Sequence, residues 1–192
     1  MRNLLILLLI TMLAACSKQA DNTAVTTTTP QFVTYTILKG RQFSDSTTIS
    51  VVNTTEMKFV ALFDSSAVYK TIDPNNQADI NKLYGFSDNN SDHHQFSARF
   101  GWNWLNDGLH LWAYDYNYGN RDYKDLGLVS IGKEINCSIK VTTNQYIFSV
   151  NGKETIMVRS AGTAVGSGYK LFPYFGGQEY APHDITIQIK EL

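Results

Sequence analysis

The sequence predicts an all-β protein, either a two-layer sandwich or a barrel. Short segments rich in β-branched and aromatic residues follow one another from Gln31 to Leu192. Turn signals separate these segments at regular spacing, and the strongest is the two-residue hairpin signal Asn151-Gly152. Such a succession of short strands is typical of antiparallel sandwiches and barrels.

Residues 1–16 are predicted to be a lipoprotein signal peptide. MRNLLILLLITMLAAC has a basic residue, an apolar run and small residues before Cys16. The run is shorter than the ~20 apolar residues that a spanning helix needs. LAAC resembles the lipobox of bacterial lipoproteins, which implies cleavage before Cys16 and a lipid on that cysteine. We therefore expect an exported chain anchored through Cys16 in the bacterial cell envelope, with the outer membrane as its expected location.

The rest of the chain is predicted to be a tether and one domain. Residues 17–30 are polar and Thr-rich, as in a flexible tether, and residues 31–192 form the β-sandwich domain. The alternating pattern of EINCSIKVT predicts that Cys137 is a buried strand thiol, so no disulfide is expected. A net charge of −1 without a basic run argues against nucleic acid and favours glycans or proteins as partners.

The predicted strands are separated by one long polar segment. QFVTYTILK, TISVV, MKFVALFD and SAVYKTI precede residues 73–92, which we expect to be a loop with at most one helical turn near Asp79 to Tyr84. The segments that follow are QFSARFGWNW, LHLWAYDYNY, RDYKDLGLVSI, EINCSIKVTT, QYIFSV, KETIMVRS, YKLFPYF and DITIQIKEL.

An aromatic hairpin, residues 96–118, allows two strand registers. In the favoured register Gly108 is a left-handed bulge, Leu105 faces Leu109, and Arg99 pairs with Asp115. Most rings of the hairpin then share one face, with the Trp end in the core and the Tyr end in a groove. In the alternative register Trp104 faces Leu109, and Arg99 lies among Trp112, Tyr114 and Tyr116.

Three later segments carry a resemblance to a known fold family. YIFSVNGKETIMVR, YKLFPYFGG and PHDITIQIKEL resemble strands of concanavalin A-like and laminin-G-like sandwiches. The aromatic hairpin is similar to segments of uncharacterised bacterial surface lipoproteins. The resemblance implies a two-sheet antiparallel β-sandwich of the jelly-roll type, whose relatives mostly bind or cleave polysaccharide on the concave face.

A non-catalytic carbohydrate-binding or surface-recognition domain is the leading functional hypothesis. Stacking of rings on sugar faces, with polar side chains as hydrogen-bond partners, would provide the binding. The alternatives are a jelly-roll polysaccharide lyase acting on a uronate-containing glycan, and a structural or protein-interaction lipoprotein with no small ligand. The predicted ligand-binding residues are His94, Arg99, His110, Trp112, Tyr114, Tyr116 and Tyr174.

No catalytic residue and no metal site are assigned from the sequence. No strand carries the paired acids of a jelly-roll glycosidase. The motifs of one alginate lyase family are absent, and SARFGW and PYFGGQ resemble them only faintly. His93 and His94 beside Asp88 and Asp92 could hold a metal only in a turn, so loop hydrogen bonding is the favoured interpretation. Oxygen-rich residues between Asp88 and Asp92 leave a weak possibility of calcium.

Overall fold

The computed structural model describes residues 29–192. The predicted signal peptide, Cys16 and most of the predicted tether lie outside the described residues. Within the described part of the chain, no helix has the length and apolar composition needed to cross a membrane. Two short 3-10 helices, Ser65–Ala67 and Pro74–Asn76, are the only helical elements among these residues.

Twelve strands make up the domain. They are β1 (Val33–Ile37), β2 (Val51–Thr54), β3 (Glu56–Phe63), β4 (Asn81–Ser87), β5 (Phe96–Leu105), β6 (Gly108–Asn117), β7 (Asn120–Val129), β8 (Ile135–Val141), β9 (Gln145–Val150), β10 (Lys153–Val158), β11 (Gly166–Leu171) and β12 (Ile185–Glu191).

The strands form two six-stranded antiparallel sheets. The first sheet has the order β1-β12-β3-β8-β9-β10, and the second has the order β2-β11-β4-β5-β6-β7. All strand pairs in both sheets are antiparallel. The predicted two-sheet antiparallel sandwich of the jelly-roll type is confirmed.

Aromatic rings from both sheets fill the core between them. Phe59 and Phe63 of the first sheet meet Phe100 and Trp102 of the second, with ring centroids 5.5 Å apart in both pairs. Burying rings of this size stabilises the fold by ~1.5–3 kcal/mol per side chain. The free thiol of Cys137 lies in the same core, and burial raises its pKa.

The favoured register of the aromatic hairpin is wrong. Trp104 faces Leu109, and Arg99 faces Tyr114 rather than Asp115. Asn106 and Asp107 both have positive φ, 50° and 58°, so they form a two-residue turn with left-handed conformation at both positions, and Gly108 is not a bulge. Phe100 and Trp102 of β5 still point into the core, but the shift by one residue turns Tyr114 and Tyr116 of β6 to the outer face, beside Arg99.

The prediction of a loop over residues 73–92 is wrong for residues 81–87. Residues 81–87 form β4, which is buried along its whole length between β11 and β5. Its sequence NKLYGFS lacks the apolar–polar alternation of a half-exposed strand because both faces of β4 are covered. Polar loops on both sides of it also masked the signal.

A buried ion pair joins two loops at one end of the sandwich. Arg159 donates to both carboxylate oxygens of Asp88, at 2.6 and 3.2 Å, and both side chains are fully buried. The Tyr146 hydroxyl donates a further bond of 2.5 Å to Asp88. These bonds hold the pKa of Asp88 low, against the opposing effect of burial. They also occupy the carboxylate that the calcium possibility required.

Candidate functional site

A groove of about 590 Å³ lies on the face of the second sheet that points away from the core. Its floor comes from β4, β5, β6 and β7, and its walls come from β11, from the segment after β11, and from the loops before β2 and before β5. A concave site of this size is of the kind that holds a small ligand or part of a polymer. The aromatic and basic side chains that line it include Phe43, Lys82, His93, His94, Arg99, Tyr114, Tyr116, Arg121, Tyr169 and Tyr174.

The charged side chains of the groove have one sign. Lys82, Arg99 and Arg121 line it, and no Asp or Glu is among its lining residues within the described part of the chain. None of the three makes a salt bridge to an acid within residues 29–192. Lys170, which also borders the groove, is different because its ammonium is 2.7 Å from Glu191. The groove therefore has three cations without counter-charges.

Arg99 reaches the floor of the groove because Gly85 lies opposite it on β4. A methyl group on Gly85 would lie only 2.5 Å from the Cβ of Arg99 and 2.2 Å from the Ala98 carbonyl oxygen. The Arg99 side chain is almost fully buried, and its Nε has no hydrogen-bond partner among the described residues. Its guanidinium carbon lies 5.3 Å from the centre of the Tyr114 ring. Because a buried charge is costly unless it is paired, an anion beside the Arg99 guanidinium would lower the free energy of the folded protein.

A bulge in β4 places Lys82 beside Arg99. Leu83 and Tyr84 occupy the length that one residue would take opposite β5, so the register shifts between Lys82 and Gly85. The Lys82 ammonium lies 4.1 Å from the centre of the Tyr114 ring and donates to the Ile80 carbonyl. Burial lowers the pKa of Lys82 to about 7, with a further contribution from Arg99 and Arg121.

Aromatic side chains form the upper parts of the groove. Tyr116 and Tyr174 are partly exposed, and Phe43 packs edge-on against Tyr174 with ring centroids 5.0 Å apart. The Tyr174 hydroxyl donates to the Gln42 side chain at 2.7 Å, which fixes its ring. The Phe43 side chain is 75% exposed. These rings present flat apolar surfaces beside the cationic side chains of the groove.

The Tyr114 ring is covered by two cationic side chains and is not a free stacking surface. It is buried under Lys82 and Arg99, and burial raises the pKa of Tyr114 to about 12. Its ring therefore supports the two cations by cation–π contact rather than offering a free stacking face.

Two histidines stand at the wall of the groove before β5. Nδ1 of His93 is 2.8 Å from the Tyr169 hydroxyl, and the His94 ring lies edge-on to Tyr116 at 5.4 Å. Burial lowers the pKa of His93, and the charge of Arg99 lowers it further. A neutral imidazole at this position can accept or donate a proton through its ring nitrogens.

Five of the seven predicted ligand residues line the groove. They are His94, Arg99, Tyr114, Tyr116 and Tyr174. Trp112 and His110 lie further along the same face of β6, outside the groove. The Trp112 indole donates to Asn103 at 2.9 Å, and His110 Nδ1 is 3.1 Å from the Asp125 carboxylate. The ligand role of all seven stays a prediction.

The other five of these groove side chains were not predicted to bind a ligand, namely Phe43, Lys82, His93, Arg121 and Tyr169. Lys82 was hidden in the segment taken for a loop. Arg121 was detectable in principle, because it alternates with Tyr123 and Asp125 along β7, and the correct hairpin register brings that row beside Tyr116 and Tyr114. His93 and Tyr169 meet through a long-range contact that no local pattern shows.

Comparison with models of protein families finds no match for this chain. No curated protein sequence matches it either. Solved structures of similar fold include alginate lyase AlyC3, which is 11% identical with a TM-score of 0.54; the match covers 82% of this chain and 72% of that one. The laminarinase catalytic domain from Thermotoga maritima MSB8 is 9% identical with a TM-score of 0.55, over 83% of this chain and 76% of that one. At identities this low, the structural likeness shows the jelly-roll fold alone, and function has to be argued from the groove itself.

Proposed function

We propose that the groove binds an acidic polysaccharide, with a uronate-containing chain as the best match. Three cations without counter-charges carry this proposal, and the burial of Arg99 is the strongest part of it. A sugar carboxylate matches the planar fork of a guanidinium and would replace the missing partner of Arg99. The partly exposed rings of Tyr116 and Tyr174 would stack on sugar faces.

A neutral glycan fits this groove less well. It would leave Arg99 buried without a counter-charge, and each hydroxyl that it brought would have to be desolvated beside a cation. Two of the similar solved structures belong to an alginate lyase and a laminarinase, so the same fold occurs in proteins named for an acidic and for a neutral polysaccharide. The charge of the groove favours the acidic class for this chain.

Binding measurements with matched polymers test the proposal. We expect calorimetry to show binding of polymannuronate or polygalacturonate oligomers and much weaker binding of a neutral β-glucan oligomer of equal length. Arg99→Met should weaken polyuronate binding by about tenfold to a hundredfold, since a charge-assisted bond contributes ~1.5–3 kcal/mol. Affinity should also fall as salt is added.

Lys140→Ala is the matched control, because Lys140 is an exposed cation of β8 outside the groove. Circular dichroism verifies that Arg99→Met remains folded. The proposal is wrong if neutral and acidic oligomers bind equally well, or if Arg99→Met and Lys140→Ala behave alike.

A polysaccharide lyase is the second candidate, favoured by the His93–Tyr169 contact beside Arg99. In such a reaction a base removes the proton next to the uronate carboxylate, and the electron pair forms a carbon–carbon double bond. The glycosidic oxygen then leaves and takes up a proton from an acid. Arg99 would stabilise the carboxylate charge that grows during proton removal, and His93 and Tyr169 would exchange the protons.

Ultraviolet absorbance separates the two candidates, because the lyase product is unsaturated. A binding protein gives calorimetric heat with polyuronate and no rise in absorbance. A lyase gives an absorbance rise that is lost in Tyr169→Phe while binding persists.

A further inference from the structure

The turn before β5 brings three metal-ligating side chains together at the wall of the groove. Asp92, His93 and His94 each place one donor atom within 4.8 Å of the other two. In an extended backbone the adjacent side chains of His93 and His94 would point apart and could not share a metal ion. Residues 92–95 form a turn instead, and the two imidazole rings lie side by side with centroids 4.1 Å apart.

The donor atoms lie somewhat farther apart than the ligands of a tetrahedral zinc site. Zinc bonds of ~2.0–2.1 Å to nitrogen and oxygen place neighbouring ligands roughly 3.3 Å apart in a tetrahedron. Here Nδ1 of His94 lies 3.4 Å from one Asp92 oxygen, and Nδ1 of His93 lies 3.8 Å from the other. Closing the three ligands around one ion requires side-chain rotations that bring both imidazoles toward the Asp92 carboxylate, from within 4.8 Å.

The backbone of the turn holds the carboxylate in place. The main-chain N–H of His94 donates to Asp92 at 2.8 Å, and the Gln95 and Phe96 N–H groups donate to the Asp92 carbonyl at 2.8 and 3.1 Å. The His93 N–H donates to the Tyr169 hydroxyl of β11 at 3.1 Å, which ties the turn to the opposite wall. Supported ligands of this kind lose less freedom on binding an ion than free surface side chains do.

The donor set selects the class of ion. Two imidazoles and one carboxylate suit zinc and neighbouring transition metals, whereas calcium and magnesium prefer sites made mainly of oxygen. The nearby charge of Arg99 and the Tyr169 bond to His93 Nδ1 oppose the ion, so we expect moderate rather than tight affinity.

We propose that Asp92, His93 and His94 bind a divalent transition ion of the zinc class. Three protein ligands leave the fourth tetrahedral position to water or to an oxygen of a groove ligand. The site does not depend on the acidic polysaccharide proposed above, because its ligands and its test involve the protein and the metal alone.

Titration of the full-length, tag-free, metal-stripped protein tests this site. Calorimetry should show one zinc ion bound per chain and no heat with magnesium or calcium. Cobalt(II) in place of zinc should give the strong visible absorption of a four-coordinate ion. His94→Ala should weaken zinc binding by about tenfold or more and remove the cobalt spectrum.

His110→Ala is the matched control, since His110 also lies beside a carboxylate, Asp125, but has no second imidazole ligand in its cluster among the described residues. It should bind zinc as the native chain does. No zinc binding by the native protein, equal loss in both variants, or no loss in His94→Ala would each overturn the proposal.

Discussion

At Lys82 the groove contains an ammonium group whose charge depends on pH near neutrality. Its pKa is lowered to about 7, first by burial and then by two neighbouring cations. The group is charged below this pH and neutral above it, so affinity for a polyuronate should fall as pH rises from 6 to 8. We expect a decrease of up to about tenfold, since a charge-assisted bond contributes ~1.5 kcal/mol. Calorimetry at the two pH values measures it.

Two variants test whether the Lys82 ammonium causes this pH dependence of binding. Lys82→Met should bind more weakly at pH 6 and show little change between pH 6 and 8. His94→Ala should keep the pH dependence, because it leaves Lys82 in place. A pH dependence that survives in Lys82→Met but vanishes in His94→Ala would assign the effect to the histidine instead.

Asp115 makes the stability of the fold depend on pH. The side chain is almost fully buried, one carboxylate oxygen has no partner among the described residues, and its pKa is raised to about 7, chiefly by burial and then by Asp122. In the unfolded chain it titrates near its ordinary value, so the folded state holds the extra proton between roughly pH 4 and 7. The free energy of unfolding from this group therefore falls as pH rises through that window.

Asp115→Asn should remove this contribution. Chemical denaturation should show the variant gaining stability relative to the native chain as pH rises from 4 to 8, by about 1.4 kcal/mol for each unit of the pKa difference at most. A difference between the two proteins that is the same at pH 4 and pH 8 would contradict the raised pKa.

At the scale of elements, the pair between Arg159 and Asp88 connects the loop after β10 to the end of β4. Arg159 also donates to the carbonyls of Thr142 and Val165, so one guanidinium joins several segments. Arg159→Met leaves Asp88 buried without its partner, and we expect a loss of about 3–5 kcal/mol in the free energy of unfolding.

Lys58→Ala provides the comparison, because its ion pair with Glu56 at 3.0 Å is largely exposed. Removing an exposed pair should change stability by ~1 kcal/mol or less. Denaturation curves with equal slopes for the two variants make the comparison valid. Similar losses in both would show that the buried pair has no special weight.

The β5–β6 hairpin shows how a local choice alters the site. The residues of both strands were recognised from their aromatic and β-branched content, but the register depended on which turn residue adopts the left-handed conformation. Gly108 was the natural candidate, yet Asn106 and Asp107 fill that role. Because side chains alternate along a strand, a shift of one residue decides whether Arg99 pairs with Asp115 or contacts the Tyr114 ring in the groove.

At the scale of the whole molecule, strand content and turn spacing were sufficient to predict the sandwich, because they are local properties of the chain. The groove depends on strands that are distant in sequence. Lys82 of β4, Arg99 of β5 and Tyr169 of β11 meet through sheet order, and neither the bulge in β4 nor the crossing of β11 leaves a local pattern. The sequence therefore predicts several Tyr residues and one Arg of the groove, but their positions relative to one another follow only from the three-dimensional structure.

The lipid anchor of the whole protein stays a prediction, because Cys16 lies outside the described residues. Cys16→Ala should release the protein from the membrane fraction, because the predicted anchor is an acyl chain on that cysteine. Fractionation of expressing cells, with mass spectrometry of the N-terminal peptide, measures this. Retention of Cys16→Ala in the membrane fraction would contradict the prediction.

The uncompensated charges of the groove also affect how the isolated domain behaves. Buried Lys82 and Arg99 and exposed Arg121 repel one another, so the protein is less stable alone than with an anion bound. Citrate, phosphate or another small polyanion in a storage buffer should therefore raise the melting temperature and compete with the natural ligand. A purification in plain chloride buffer would keep the groove vacant, and a melting-temperature survey of anions would then report which shapes it accepts.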